Sequence, residues 1–267
     1  MTLFQILIIA ITQGVTEFLP ISSSGHLILL PKLTGAQDQG LAIDVAVHVG
    51  TLMAVTLYFW RDVQIAAKGT FRLAKGKVDT QGAFLALCLL IATIPAVFVG
   101  LAIKLTGLDE AMRSTEVIGW TMLIFGVVLY WADKTGRTDK SADSWSIRDA
   151  AIMGLAQCLA LIPGTSRSGI TITAARKLGY GRKDAAKLAM LMSIPVIAAS
   201  GFVLSIDVVQ QANWELLYNA TIAAAFAFVT ALLALVLMMR LLASISFTPY
   251  VIYRIVLGIA LLVWVYT

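Results

Sequence analysis

Six stretches of this chain, at about 41–60, 82–103, 116–132, 187–206, 217–239 and 249–266, are apolar enough to cross a bilayer. A hydrocarbon core about 30 Å thick needs roughly 20 helical residues to span it. Lipid offers no partner to a free N–H or C=O, so repeated spans of this length must be helices that satisfy their own backbones. Composition agrees: 59% of the residues are hydrophobic and only 13% charged, with a mean hydropathy of +0.88. Soluble domains carry about 25% charged residues. These features predict an all-α integral membrane protein, a single membrane domain over residues 1–267. Residues 1–20 lack the basic start and small-residue cleavage site of a removable signal peptide. Cys88 and Cys158 stand apart in apolar segments without metal-ligand spacing, so the expectation is two buried, inert thiols.

Four further apolar segments, about 3–19, 22–33, 149–162 and 168–178, are too short or too interrupted to cross alone. They form two pairs, each broken by proline and small polar residues. Proline removes a helical donor and pushes the preceding residue out of the α region. Each pair is therefore expected to be a re-entrant helix–loop–helix hairpin. Basic residues fall in alternate connections: five in 61–80 (Arg61, Lys68, Arg72, Lys75, Lys77), four in 133–148 (Lys134, Arg137, Lys140, Arg148) and five in 176–187 (Arg176, Lys177, Arg182, Lys183, Lys187), with Arg240 between the last two spans. The other connections hold only Lys32, Lys104 and Arg113, and 207–216 holds none. Cytoplasmic loops are the basic ones, which predicts both termini on the outer side of the membrane, the periplasmic side if the membrane is a bacterial inner one. Trp60, Trp131, Trp214 and Trp264 sit near span ends, as interfacial anchors do.

Ser22-Ser23-Ser24-Gly25 and Ser166-Arg167-Ser168-Gly169 share an S-x-S-G pattern, each just after a proline-broken helix and each followed by three spans. Three crossings invert the second copy. The reading is an inverted-topology repeat, with one half at about 1–132 and the other at about 148–267, its broken helices meeting inside the bilayer.

Ionisable residues inside a membrane are costly, which makes Glu17, His26 and Arg167 functional candidates. Gln13 and Glu17, at i and i+4, share a helical face and offer hard oxygen ligands suited to Mg²⁺ or Ca²⁺. Glu17 could equally serve as a general base. Ser22, Ser23 and Ser24 stand at the start of the second short helix, where N–H groups and the helix dipole favour an anion; simple capping is the bland alternative. His26 shares a face with Ser22 or Ser23, a spacing that permits a serine nucleophile with a histidine base or acid. In the second break, Gly164, Ser166, Ser168 and Thr171 suggest a phosphate cradle, with Arg167 supplying a bidentate fork. The absence of a terminal Gly-Lys-Ser/Thr excludes a Walker loop. Asp44 and His48 are candidates to line the site, and Arg254 either snorkels or faces a cavity.

The run from Gln13 and Glu17 through Phe18-Leu19-Pro20-Ile21-Ser22-Ser23-Ser24-Gly25-His26, together with Pro163-Gly164-Thr165-Ser166-Arg167-Ser168 and Thr171, resembles the bacterial undecaprenyl-pyrophosphate phosphatases of the bacitracin-resistance (BacA/UppP) type. The resemblance covers essentially the whole chain. It implies hydrolysis of undecaprenyl pyrophosphate to the monophosphate, recycling of the cell-wall lipid carrier, a divalent cation (Mg²⁺ or Ca²⁺), an inner-membrane location with a periplasmic mouth, and bacitracin tolerance. Gln13 stands where some members carry Glu, one negative charge fewer. The expected partners are a prenyl pyrophosphate lipid and the bilayer, not nucleic acid; a homodimer is compatible with the sequence. Ser23 is the first choice of nucleophile and a metal-activated water the second. A transporter or flippase for a phosphorylated lipid is the main rival, because inverted repeats with broken helices also suit alternating access. The type-2 phosphatidic-acid-phosphatase class is a weaker one: Ser24-Gly25-His26 echoes its P-S-G-H element, but its other motifs are missing.

Overall fold

The computed structural model describes residues 1–35, 38–209 and 214–267. Among them twelve α-helices follow in order: α1 (Leu3–Phe18), α2 (Ser23–Thr34), α3 (Leu41–Tyr58), α4 (Trp60–Leu73), α5 (Gln81–Thr106), α6 (Leu108–Met112), α7 (Thr115–Thr135), α8 (Ile147–Gln157), α9 (Arg167–Lys177), α10 (Arg182–Val209), α11 (Trp214–Leu241) and α12 (Thr248–Tyr266). A 3₁₀ turn at Cys158–Leu161 extends α8. The fold is all-helical, and six helices, α3, α5, α7, α10, α11 and α12, are long and apolar enough to cross a membrane. They coincide with the six expected spans. Residues 210–213 of the predicted 207–216 connection lie outside the described residues.

Local chemistry explains the helix boundaries. Thr80, Ser114 and Ser146 each accept a backbone N–H at the start of α5, α7 and α8, the capping role that short hydroxyl side chains perform best. Two elements were not foreseen, the five-residue α6 and the longer α4. The basic connection 61–80, read as a loop, contains α4, which folds back along α5.

The short helices pair as expected, α1 with α2 and α8 with α9. At 16 and 12 residues, α1 and α2 are shorter than a bilayer core requires. α1 packs on α11 and α8 packs on α5, while α3 and α11 form the most extensive helix pair. The approach of α11 is close because two glycines face it. A Cβ at Gly50 would lie 2.2 Å from the Ala224 carbonyl oxygen, and one at Gly14 would lie 1.9 Å from the Thr230 hydroxyl. Small residues at such contacts are how membrane helices gain packing energy where no hydrophobic drive exists.

At the end of the bundle that carries the basic loops, several cations are not free charges. Arg176 is buried; its Nε donates to Asp133 Oδ1 at 3.3 Å, and its Nη atoms donate to the carbonyls of Asp133, Gly136, Arg137 and Tyr180. Arg182 Nε donates to the same Asp133 oxygen at 2.7 Å, and the Phe247 N–H to the other at 3.3 Å. Lys140 and the Tyr180 hydroxyl both donate to Asp149. This ionic knot joins the ends of α7 and α9 to the starts of α10 and α12.

Gly50→Val places its first side-chain carbon inside the Ala224 carbonyl, so α3 and α11 must separate. The expected result is a loss of about 1–3 kcal/mol, read as a lower unfolding temperature of the detergent-solubilised protein. An unchanged melt would show that the α3–α11 contact does not need glycine.

Candidate active site

The two chain breaks are built alike. Leu19 and Ile162, each just before or at the proline turn, are extended, with ψ of 143° and 118°, as a following proline demands. Each turn then passes through a serine with positive φ, Ser22 at 73° and Ser166 at 70°, the two non-glycine residues in that region among the described residues. Such a backbone costs of order 1–3 kcal/mol and collects at functional sites. In both, the serine oxygen caps the next helix by accepting from a glycine N–H, Gly25 at 3.3 Å and Gly169 at 3.1 Å. Both also contact the hydroxyl two residues on, Ser24 at 3.3 Å and Ser168 at 3.1 Å. Nine positions before each of these serines lies a buried glutamine, Gln13 and Gln157, whose Oε1 has no protein partner.

The two tips touch. Ser168 Oγ donates to the Leu19 carbonyl at 3.0 Å, and a Cβ at Gly25 would lie 3.5 Å from Gly164 Cα. Arg254 of α12, fully buried, ties them together. Its Nη1 donates to the Pro20 carbonyl at 3.2 Å, and its Nη2 to those of Gly164 at 3.0 Å, Thr165 at 2.9 Å and Thr121 at 3.4 Å. Its Nε reaches Met122 at 3.3 Å. Thr121 adds a 2.6 Å hydrogen bond to the Pro163 carbonyl. Of the two readings of Arg254, snorkelling is therefore corrected: the guanidinium is an internal clamp.

Where the tips meet, Glu17 is the hub. Its Oε2 accepts from Ser23 Oγ at 2.6 Å and Gln13 Nε2 at 2.9 Å, and its Oε1 from Arg167 Nη2 at 3.0 Å. Ser23 and Arg167 stay partly exposed. Arg167 also donates to the Ala189 carbonyl at 3.3 Å, using two of its five N–H donors. His48 is close enough to Glu17 to interact electrostatically, while Asp44 is engaged by Gln39 at 2.9 Å.

His26 differs from the expectation. Its Nδ1 lies 2.6 Å from the Ser22 carbonyl and its Nε2 2.6 Å from the Tyr253 hydroxyl. Both ring nitrogens are occupied, neither by a serine hydroxyl, because the helix turn aims the ring back at the Ser22 carbonyl and out toward α12. The group beside the Ser23 hydroxyl is the Glu17 carboxylate. The expected phosphate cradle also divides. Ser22 and Ser166 are buried caps, Ser168 is a buried stitch, and the fully buried Thr171 donates to the Arg167 carbonyl of its own helix at 2.8 Å. Gly164, at φ 89°, fits because a Cβ there would lie 2.1 Å from the Thr121 hydroxyl. Only Ser24 of this set is exposed. Tyr253 and the carbonyl partners of Arg254 were invisible to motif reading; an arginine inside an apolar span was the one available signal.

Among the described residues no three His, Cys, Asp or Glu side chains converge as a metal cage. The donors that do exist suit a hard cation: the Glu17 carboxylate and the orphaned, buried Gln13 Oε1. Mg²⁺ commonly binds through one or two such groups and completes its shell with water and substrate phosphate.

These features define a polytopic membrane protein with a composite polar site at the junction of two broken-helix pairs. The chain belongs to the bacitracin-resistance family: the family described as Bacitracin resistance protein BacA matches residues 6–260. It is 69% identical, over the full length of both chains, to a protein of Roseobacter denitrificans named undecaprenyl-diphosphatase. Proteins of the same name from Dinoroseobacter shibae and Maricaulis maris are 67% and 45% identical, covering 100% and 99% of each chain.

Arg254→Met removes five hydrogen bonds from buried carbonyls, each worth about 1 kcal/mol or more when left unpaired. The variant is expected to lose several-fold more stability than a methionine placed at Arg61 on the surface of α4, both read by thermal unfolding in detergent. Equal melting temperatures would remove the clamp.

Proposed function

We propose that this chain hydrolyses undecaprenyl diphosphate to undecaprenyl phosphate and phosphate, recycling the lipid carrier of cell-wall polysaccharides and conferring bacitracin tolerance when abundant. One observation carries the reading: the Ser23 hydroxyl donates at 2.6 Å to a carboxylate whose other oxygen is held by Arg167 at 3.0 Å. A positioned base beside a hydroxyl, with a cation next to both, is the arrangement that nucleophilic phosphoryl transfer needs. The names and full-length identity of the relatives support the same substrate.

In the proposed reaction Ser23 Oγ attacks the terminal phosphorus while its proton passes to Glu17. The bridging P–O bond breaks toward the prenyl phosphate, which stays in the bilayer. Glu17 passes that proton to the departing prenyl phosphate and then takes one from the water that attacks phosphorus; as the P–Oγ bond breaks, Glu17 returns it to Ser23 Oγ and phosphate leaves. Arg167 has three N–H donors left for the phosphoryl oxygens as charge spreads over them. Ser24 lies at the exposed edge, and the N–H groups at the starts of α2 and α9 add a favourable dipole. A divalent cation held by Glu17 and Gln13 would supply charge neutralisation to the diphosphate. His26 is assigned to acid–base work at the rim rather than to activating Ser23.

We further propose that the short helix pairs are re-entrant and that the two halves are inverted repeats. The matching serine turns, the matching glutamines and the mirrored contacts of α1 on α11 and α8 on α5 support this. The basic loops support periplasmic termini, and the site is proposed to open to that side. Its residues all come from one chain, so a homodimer would leave it unchanged.

Phosphate release from undecaprenyl diphosphate in detergent needs no gradient, and a pure transporter would give none. Glu17→Ala and Arg167→Ala are each expected to lower it by about 100-fold or more without unfolding the protein; near-normal turnover in either would sink the assignment. Labelled phosphate trapped on the wild type is expected to vanish in Ser23→Ala, and label persisting there removes Ser23 as nucleophile.

Chelation with EDTA is expected to lower turnover by about 10-fold or more, with recovery on adding Mg²⁺ or Ca²⁺. Full activity after exhaustive chelation would exclude the cation.

A further inference from the structure

The imidazole of His26 is held from both sides. A carbonyl can only accept, so the 2.6 Å contact with the Ser22 carbonyl places the hydrogen on Nδ1. The neutral ring then has its lone pair on Nε2, which faces the Tyr253 hydroxyl at 2.6 Å. The tyrosine O–H donates into that lone pair. The two rings lie nearly parallel, 10° apart with centroids at 5.6 Å, so the tyrosine also fixes the plane of the imidazole. Tyr253 is 43% exposed, and this is the one hydrogen bond of its hydroxyl among the described residues. Nothing in the packing of α12 requires a hydroxyl there. Its neighbour Arg254 is clamped to both tips, which fixes the position of this stretch of α12 relative to α2.

We infer that Tyr253 is a positioning residue for His26: its hydroxyl, donating to Nε2, holds in one orientation the Nδ1–H imidazole that the Ser22 carbonyl selects. The ring thereby meets the diphosphate in one orientation and one tautomer. The Ser22 carbonyl, which can only accept, sets which nitrogen carries the proton, and the Tyr253 hydroxyl, able to donate or accept, matches it by donating. The inference rests on the phosphatase reading for its consequence in turnover, while the tautomer itself can be observed without turnover.

Tyr253→Phe keeps the ring and its stacking and removes only the hydroxyl. With undecaprenyl diphosphate in detergent, kcat is expected to fall by about 10-fold or more with KM within about twofold. In a His26→Ala background the same change is expected to cost less than about twofold, because the partner is gone. Wild-type kcat in Tyr253→Phe, or an equal loss with and without His26, overturns the inference. In protein labelled with ¹⁵N-histidine, His26 is expected to show a protonated Nδ1 and an unprotonated Nε2 whose resonance moves in Tyr253→Phe. A protonated Nε2 in the unmutated neutral ring also overturns it. Absence of any wild-type phosphate release would instead defeat the phosphatase reading, leaving the spectrum as the test of the tautomer.

Discussion

Two proline-broken turns deep in an apolar bundle leave backbone carbonyls without helical partners, and lipid cannot supply any. The structure meets this constraint chiefly with Arg254, whose five hydrogen bonds go to carbonyls on both turns and on α7. Ser168 and Thr121 satisfy two more, those of Leu19 and Pro163. The same bonds decide the position of everything else. Joining the Pro20 carbonyl to those of Gly164 and Thr165 puts the start of α2 against the start of α9, so Ser23 and Arg167 reach the same carboxylate. The polar site is a consequence of solving the backbone problem at both breaks with one side chain.

That solution has an electrostatic result. Arg254 has carbonyl partners and no carboxylate, and Glu17 is shared by Arg167, Ser23 and Gln13. The junction therefore holds two guanidiniums against one carboxylate. A buried cation without a counter-charge is costly, and an anion arriving beside Ser23 relieves that cost. The proposed diphosphate supplies such an anion.

Much of this was legible in the sequence because membranes reduce the choices. Spans announce themselves by length and hydropathy, and a proline next to serines in an apolar segment has few structural meanings, so all six spans and both breaks were found from residues alone. Gln13, Glu17, Ser23 and Arg167 were legible for the same reason, as polar groups in an expensive place. What sequence could not resolve was direction. Ser22, Ser166, Ser168 and Thr171 looked like phosphate donors, yet in the structure Ser22, Ser166 and Thr171 bond their own helices and Ser168 bonds the Leu19 carbonyl of the other tip, and hydroxyls of either role look identical as letters. His26 follows the serines at helical spacing, but the carbonyl four residues back claims its Nδ1. Arg176 and Arg182 counted as loop charges and are knotted to Asp133, a pairing across 43 and 49 residues that no local pattern reveals. The α4 helix was missed because its basic residues marked a connection, and a connection can still be helical.

The proposed repeat explains why a composite site requires the halves to differ. The turn itself is duplicated: glutamine, proline, positive-φ serine, capped glycine. At equivalent places around it the side chains diverge, with Glu17 against Leu161, Ser23 against Arg167 and His26 against Ile170. Two identical halves would face carboxylate to carboxylate or guanidinium to guanidinium across apolar surroundings, where like charges repel strongly. Divergence removes that conflict by giving one tip the carboxylate and hydroxyl and the other the cation. The backbone parts stay alike because each tip still has to cap a helix start and dispose of carbonyls in lipid. Symmetry is kept where the membrane imposes the same task on both halves and lost where the chemistry needs opposite charges to meet.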